Sequence, residues 1–593
     1  GKLFAAIGSS SFNGSSAEDG LFMSTDGVTW ESLDPGPNFP STFNRFEIAI
    51  DPSDETKVYF VGSNNLFLFN DISDSWTDLS DNLGVSDDDV GEGHSTQGGY
   101  NLYAAVHPSN SNVLFIGGTN LLRSSDKFAT TNTRMQIGGY GNDNNPNSFP
   151  RYLNHHPDNH DYAFFPSNPN KMISATDGGV HLTLNNLATQ STDNPVSWRS
   201  LNNGYITTQF YHVSINESNL SDQLILGGMQ DNGSWAKTTT NAKETWTEVF
   251  GGDGAFSAVT HNSLYVSSQR GNMLRLELIG NTYEFAGNIS PSDNQGDFLF
   301  INPFIVNPVN QEQMFVASNA KVFFTNDLRL NPGNGQWGEI SSRFLSLQPI
   351  SALAMSIQPE GVLYLGTQNG RVFKVNDTRD LIDGQVDEQI SDVNMPTGNI
   401  SSIAVDPRDA DRILVCYSNY EVLSLWLSEN GGDTWTPVAG NLEENPDGSG
   451  AGPSTRSVAI MPDGQGGNYY FVGTSVGLFM TQSLDGENTV WEQQAVNSIG
   501  NVVVSQVVVR PIEGLVVAST HGNGVFKATY DVGVTPRINY SKNSASQSYT
   551  LRGNVSFNSA IPLSYQWLKN GVEVEGANSA ELEVFDGGDY QLI

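Results

Sequence analysis

The sequence predicts an all-β protein in which one small sheet recurs along the chain, and two spacings carry that expectation. Trp30, Trp76, Trp198, Trp246, Trp337, Trp435 and Trp491 recur at separations near one, two or three times about 45 residues. Short runs of Val, Ile, Phe and Tyr alternate with turns of Asp, Asn, Gly and Ser, and no heptad pattern interrupts them. A four-stranded unit of about this length is the blade of a β-propeller.

The inner half of each unit is legible as a phrase: an apolar strand, Asp-Pro or a relative, then a second strand ending in small residues. Ile48-Ala-Ile-Asp-Pro52 leads to Val58-Tyr-Phe-Val-Gly62. Tyr103-Ala-Ala-Val-His-Pro108 leads to Val113-Leu-Phe-Ile-Gly-Gly118, and Ile403-Ala-Val-Asp-Pro407 leads to Ile413-Leu-Val-Cys416. Proline ends one strand and the polar residues after it turn the chain into its partner, so each phrase reads as a hairpin. The outer half is marked by Ser24-Thr-Asp-Gly-Val-Thr-Trp30 and Ser428-Glu-Asn-Gly-Gly-Asp-Thr-Trp435, a polar turn with Trp as the first large residue after it.

Counting units gives about eleven or twelve before residue 530, more than one ring holds, since rings close with about four to eight blades. Two tandem propellers follow, a first region over 1–320 and a second over 321–530. Rings of six would make the chain nearly complete. Rings of seven, the expectation carried forward, would put about two units upstream of Gly1. After Tyr530 the texture changes. Leu563-Ser-Tyr-Gln-Trp-Leu-Lys-Asn-Gly571, with Tyr565 and Trp567 on one face, and a later Gly588-Asp-Tyr590 corner predict a partial immunoglobulin-like β-sandwich over 536–593.

Charge narrows the partners. With 64 acidic and 28 basic residues the net charge is −36, a field that repels phosphate backbones and anionic membranes and argues against nucleic acid. Acidic stretches such as Ser86-Asp-Asp-Asp-Val-Gly-Glu92 offer oxygen ligands for calcium, without the spacing of an EF-hand loop. No other cofactor is indicated, and no apolar run is long enough to cross a bilayer. The single cysteine, Cys416, sits in an apolar run and reads as a buried strand residue.

These residues resemble the Asp-box propellers, whose repeat runs Ser-x-Asp-x-Gly-x-Thr-Trp, over most of residues 1–530. The tandem size is similar to the group that holds the xyloglucanase-type glycoside hydrolases and the sortilin luminal domain. The C-terminal part is similar to Ig-like modules of secreted Bacteroidetes proteins. The resemblance implies a structural rim role for Asp26, Trp30, Asp433 and Trp435, and an extracellular or cell-surface location. It leaves function open, because the repeat occurs in hydrolases, receptors and assembly factors alike.

Two polar constellations are the candidate sites. In Asn154-His-His-Pro-Asp-Asn-His-Asp161, the spacing of His156, Asp158 and His160 puts three donors on one side of an extended segment, with Asp177 facing the same mouth. That arrangement suits a divalent metal or a hydrogen-bonded binding loop. In the following units Asp231 and Asp253 come from neighbouring blades as a candidate acid and base, with Tyr211 and Trp235 as aromatic subsite walls. An inverting glycosidase needs two carboxyls about 6.5–9.5 Å apart. The expected function is therefore recognition of a protein or polysaccharide, with a polysaccharide hydrolase as the alternative. A sialidase is disfavoured because arginine is sparse and no substrate-clamping cluster of it is evident.

Overall fold

The computed structural model describes residues 1–8, 19–86, 93–141, 151–189, 194–217, 223–237, 245–261, 263–279, 282–319, 321–333, 336–341, 349–379, 381, 388–532, 537–543, 548–554, 566–579, 581–585 and 590–592. Among them the protein is all-β: nine four-stranded and four three-stranded antiparallel sheets, with three-residue 3-10 turns as its only helical pieces. By contact density the chain divides into two compact units, Gly1–Ile206 and Thr207–Ile593.

Both units repeat one local design. In a four-stranded sheet the strands pair in chain order, so each sheet is a meander joined by tight turns. The second strands, such as Lys57–Val61, Leu114–Gly117 and Asn468–Thr474, are continuous apolar runs because neighbouring sheets cover both of their faces. The Asp-Pro phrases are the first hairpins. Asp51 and Asp406 are buried, and each accepts a backbone N–H two residues on, from Ser53 and Arg408, both at 2.9 Å; Asn307 does the same for Val309.

The strand before the last of a sheet ends on Ser or Thr in Ser24, Ser124, Thr183, Thr325, Ser428 and Thr481. Each of these hydroxyls accepts the N–H of the residue two further on, at 3.2–3.4 Å. The last turn of the sheet is thus capped from within the preceding strand.

Residues 1–206 hold four sheets in succession, beginning with the strands Leu3–Ile7, Glu47–Ile50, Tyr103–Val106 and Asn159–Phe165. Each sheet packs on the next through its own apolar layer: Phe60 and Phe67 at the first junction, Tyr59 and Ile116 at the second, Phe115 and Trp198 at the third.

Residues 207–530 contain seven sheets, opened by Phe210–Ile215, Ser257–Val259, Phe304–Val306, Ile350–Met355, Ile400–Asp406, Thr455–Pro462 and Val503–Arg510. Each opening strand packs against the next, and Val503–Arg510 packs against Phe210–Ile215, so the succession closes on itself. A channel of about 270 Å³ runs among these strands, and all seven contribute to its wall.

The closing contact is built differently from the other six. Its apolar layer is small, with Val213, Ile215 and Val517 as its buried members. Polar bonds reinforce it. Fully buried Arg510 donates from Nη1 to the Asn216 carbonyl at 3.0 Å and from Nε to Glu513 at 2.8 Å. The Gly522 N–H donates to the Thr208 carbonyl at 2.9 Å, and the His521 ring meets the Gln209 side chain at 2.7 Å.

Beyond Tyr530 two three-stranded sheets follow, Arg537–Asn543 with Ser548–Asn554 and Glu581–Val584, and Val572–Glu573 with Trp567–Lys569 and Tyr590–Leu592. Trp567 is buried and its Nε1 donates to the Ser579 carbonyl at 2.9 Å. Asn570 and Gly571, at φ 52° and 79°, make the tight turn that their sequence signals. Tyr565 and the Gly588-Asp589 part of the predicted corner lie outside the described residues.

Replacing Arg510 with Met keeps the apolar stem and removes the clasp. The expected cost is about 2–4 kcal/mol, because the Asn216 carbonyl and Glu513 lose a buried cation. Urea unfolding of the variant should show it, with early proteolytic cutting near residues 207–217.

Candidate functional site

The two marked turns are held by side chain to backbone bonds. Asp26 Oδ1 accepts the N–H groups of Val28 and Thr29 at 2.8 and 2.7 Å and the Ser24 hydroxyl at 3.0 Å. Those bonds, the backbone ones foremost, pull its pKa down to about 2. In the second turn Asn430, not Asp433, takes that place: its Oδ1 accepts the Thr434 N–H at 2.9 Å and the Ser428 hydroxyl at 3.1 Å. The extra residue is absorbed at Gly431-Gly432, both at positive φ, and Asp433 directly precedes Thr434-Trp435, the place Val28 holds in the first turn. Trp435 packs into an apolar layer and donates to the Ile390 carbonyl at 2.8 Å, while Trp30 is 40% exposed and pins no interior. A third turn of this kind, in which Asp126 accepts the Ser124 hydroxyl at 2.8 Å, lacks the tryptophan that would have marked it in sequence.

The histidine constellation in residues 1–206 differs from an extended ligand row. Asp158 has φ 61°, a left-handed turn, so His156, Asp158 and His160 do not alternate along a strand. His156 is buried, with Nδ1 at 3.0 Å from the Pro157 carbonyl oxygen, and Asn101 donates to the Asp158 carboxylate. His160 pairs with Asp177 at 2.6 Å, and the Tyr100 hydroxyl donates to the same carboxylate at 3.2 Å. The bond to Asp177 raises the His160 pKa, against the effect of burial. Behind this pair His155 and His181 lie 5.0 Å apart, ring to ring; burial holds His155 far below its usual pKa and brings His181 down to about 4. Among the described residues no three His, Cys, Asp or Glu are placed to hold a metal ion, and residues 87–92 of the acidic calcium stretch lie outside them.

Asp231 and Asp253 belong to one sheet and its exit rather than to neighbouring sheets. Asp231, at φ 58°, lies in the turn between Ile225–Met229 and Gly233–Lys237, and Asp253 follows the last strand, Thr247–Phe250. Asp253 is buried. Its Oδ1 accepts the Asp231 N–H at 2.9 Å and its Oδ2 the Gln269 amide at 2.6 Å. This carboxylate ties a hairpin to the next sheet, a structural use of both oxygens. Trp235 is half-buried and donates to the Asn232 carbonyl, and the Tyr211 ring meets His521 edge-on at 6.3 Å. Cys416 is buried and unbridged, and burial moves its pKa up to about 11.

A feature the sequence reading missed gathers side chains at one end of the channel. Five opening strands in residues 207–593 carry an extra residue near their start, where two positions oppose one on the partner strand. The extra residues are Tyr211, Ser351, Ser401, Arg456 and Ser505, and His160 holds the same place in its own sheet. A bulge re-aims its side chain, and Ser351 and Ser401 accordingly form part of the channel wall. In sequence the partner strand ends in a small pair, Gly366-Thr367 or Gly473-Thr474.

Near the other end Glu217 is the one charged group in the channel's described wall. Protein surrounding it raises its pKa to about 7 although its surface opens to the channel, with Arg510 pulling the opposite way.

No protein-family model matches the chain, and no curated protein matches it.

The Asp177→Asn variant should bring the His160 pKa down from its raised value, followed by the imidazole resonances in an NMR pH titration. Because the folded pKa is raised, the pair stabilises fully below about pH 6.5 and its contribution is lost as pH climbs through the folded value. An unchanged titration in the variant would assign the shift to another group.

Proposed function

We propose that residues 209–529 form a seven-bladed β-propeller, that the four sheets before them are blades of the same Asp-box type, and that residues 537–592 belong to an Ig-like module. On this reading the protein works outside the cell or on its surface, and recognises a ligand at the bulged end of the channel. The closed succession of seven sheets, each with its own apolar junction, supports the ring.

The observation that carries recognition over hydrolysis is the use of Asp253. Both of its oxygens are engaged in holding a turn, one of them by the backbone of the proposed partner acid itself. A general acid needs a carboxyl that can give and regain a proton at the substrate. The bulged end, by contrast, presents Tyr211, Ser351, Ser401 and Ser505 beside the Gln209 and His521 pair, groups suited to hydroxyl-bearing ligands. Between the two partners named from sequence, a polysaccharide therefore has the better support.

The test is a panel of plant and algal polysaccharides assayed for both retention and reducing-end release. Retention without release is expected, and Asp253→Asn should leave retention intact while lowering stability by about 1–3 kcal/mol. Oligosaccharide release that Asp231→Asn or Asp253→Asn abolishes would make the protein a hydrolase.

A further inference from the structure

Arg456 is the one charged group among the five bulge residues, and it lies between Ser401 and Ser505 in the order of the sheets. It holds the position that puts Ser351 and Ser401 into the channel wall, and the Ser401 hydroxyl reaches 3.4 Å to the carbonyl of Thr455, the residue before it. Unlike most cations here, Arg456 has no carboxylate partner among the described residues. Lys321 pairs with Glu339, Lys374 with Asp411, Arg408 and Arg412 with Asp406, and Arg510 with Glu513. The Arg456 Nε is buried and makes no hydrogen bond. A buried donor without an acceptor costs free energy until one arrives.

The surroundings define what would arrive. His521 is close enough for the charge of Arg456 to lower its pKa, in addition to the larger effect of burial, so it tends to the neutral form. Gln209 holds that imidazole, and Tyr211 lies edge-on to it. Ser401 and Ser505 flank the arginine on the adjoining sheets. One cation among neutral hydroxyl, amide and imidazole groups fits one carboxylate carried on a hydroxylated body. The −36 field repels a polyanion but costs a single charge little when it is matched by a guanidinium.

We infer that the bulged end of the channel is a site for a single sugar acid, a uronic acid residue free or at the end of a glycan, with Arg456 bound to its carboxylate. Hydroxyls of the sugar are met by the side chains of Ser401, Ser505, Tyr211 and Gln209. This inference rests on the recognition reading above for the choice of face and adds the chemistry of the ligand.

The experiment is isothermal titration of the whole chain with glucuronate and galacturonate, using glucose, galactose and a short peptide with a free C-terminal carboxylate as comparisons. Uronates should bind at least tenfold more tightly than the neutral sugars and the peptide. Arg456→Gln should lose at least tenfold of uronate affinity with its thermal unfolding unchanged, and Arg456→Lys should keep part of it. Equal affinity for neutral sugars, undiminished uronate binding by Arg456→Gln, or tighter binding of the peptide would each overturn the inference. If Arg456→Gln does not fold, the wild-type salt dependence decides: uronate affinity must fall as ionic strength rises, and a flat response overturns the assignment. Retention of neutral polysaccharide together with no uronate binding sinks this inference alone, whereas hydrolysis of the panel sinks the recognition reading.

Discussion

The weakest-looking junction in residues 207–593 is the one on which the others depend. Six contacts between successive sheets join elements that are neighbours in sequence, so chain connectivity holds them near one another. The seventh brings residues 208–217 to residues 503–525 with no such help, and the entropy of closing that long segment must be offset by the contact itself. Its apolar layer is aliphatic and small, so directional bonds supply the rest: the Arg510 fork, the Gly522 amide and the imidazole of His521 on Gln209. A buried guanidinium with fixed acceptors is also intolerant of register slips, because a displaced strand would leave it unpaired. The seam therefore fixes the alignment of first and last sheet as well as their adjacency.

Closure creates a second constraint. The opening strands turn a free edge toward the channel, and their unpaired backbone groups need partners. Serines meet that need across sheets. Ser351 donates to the Ile400 carbonyl at 2.7 Å, Ser402 accepts the Val458 N–H at 3.3 Å, and Ser457 accepts the Val507 N–H at 3.0 Å. Small hydroxyl residues suit strands crowded around a narrow axis, and at Ser351 the bulge residue itself belongs to this network.

The all-β class and the hairpin phrases were legible because they rest on local chemistry: Asp51 and Asp406 cap the turns that their Asp-Pro context signals, and Asn570-Gly571 makes the turn it spells. The site was less legible, for two reasons. Spacing rules assume regular strands, and His156, Asp158 and His160 depart from them through a left-handed residue and a bulge, both set by tertiary packing. Glycine-flanked acids also look alike whether they serve a turn or a substrate; the two oxygens of Asp253 are distinguished only by Asp231 and Gln269, which no motif links to it. Asp433 stands three residues past the acceptor place, and Asn430 shows that the turn requires an acceptor oxygen rather than a charge.

That distinction changes what the acidic composition means. Asp26, Asp51, Asp126, Asp377 and Asp406 all accept backbone or hydroxyl hydrogen bonds in turns, and a fold of many tight turns consumes many such residues. A considerable part of the charge is therefore a by-product of turn chemistry, and its sign says little about the ligand. The placement of the scarce cations is more informative. Several arginines are spent on buried carboxylates or carbonyls, at Asp406, at Asn216 and at the Asn186 and Ala188 carbonyls that hold Arg123. Arg456 makes none of these contacts among the described residues: it holds a bulge position, and its Nε is buried without a hydrogen bond.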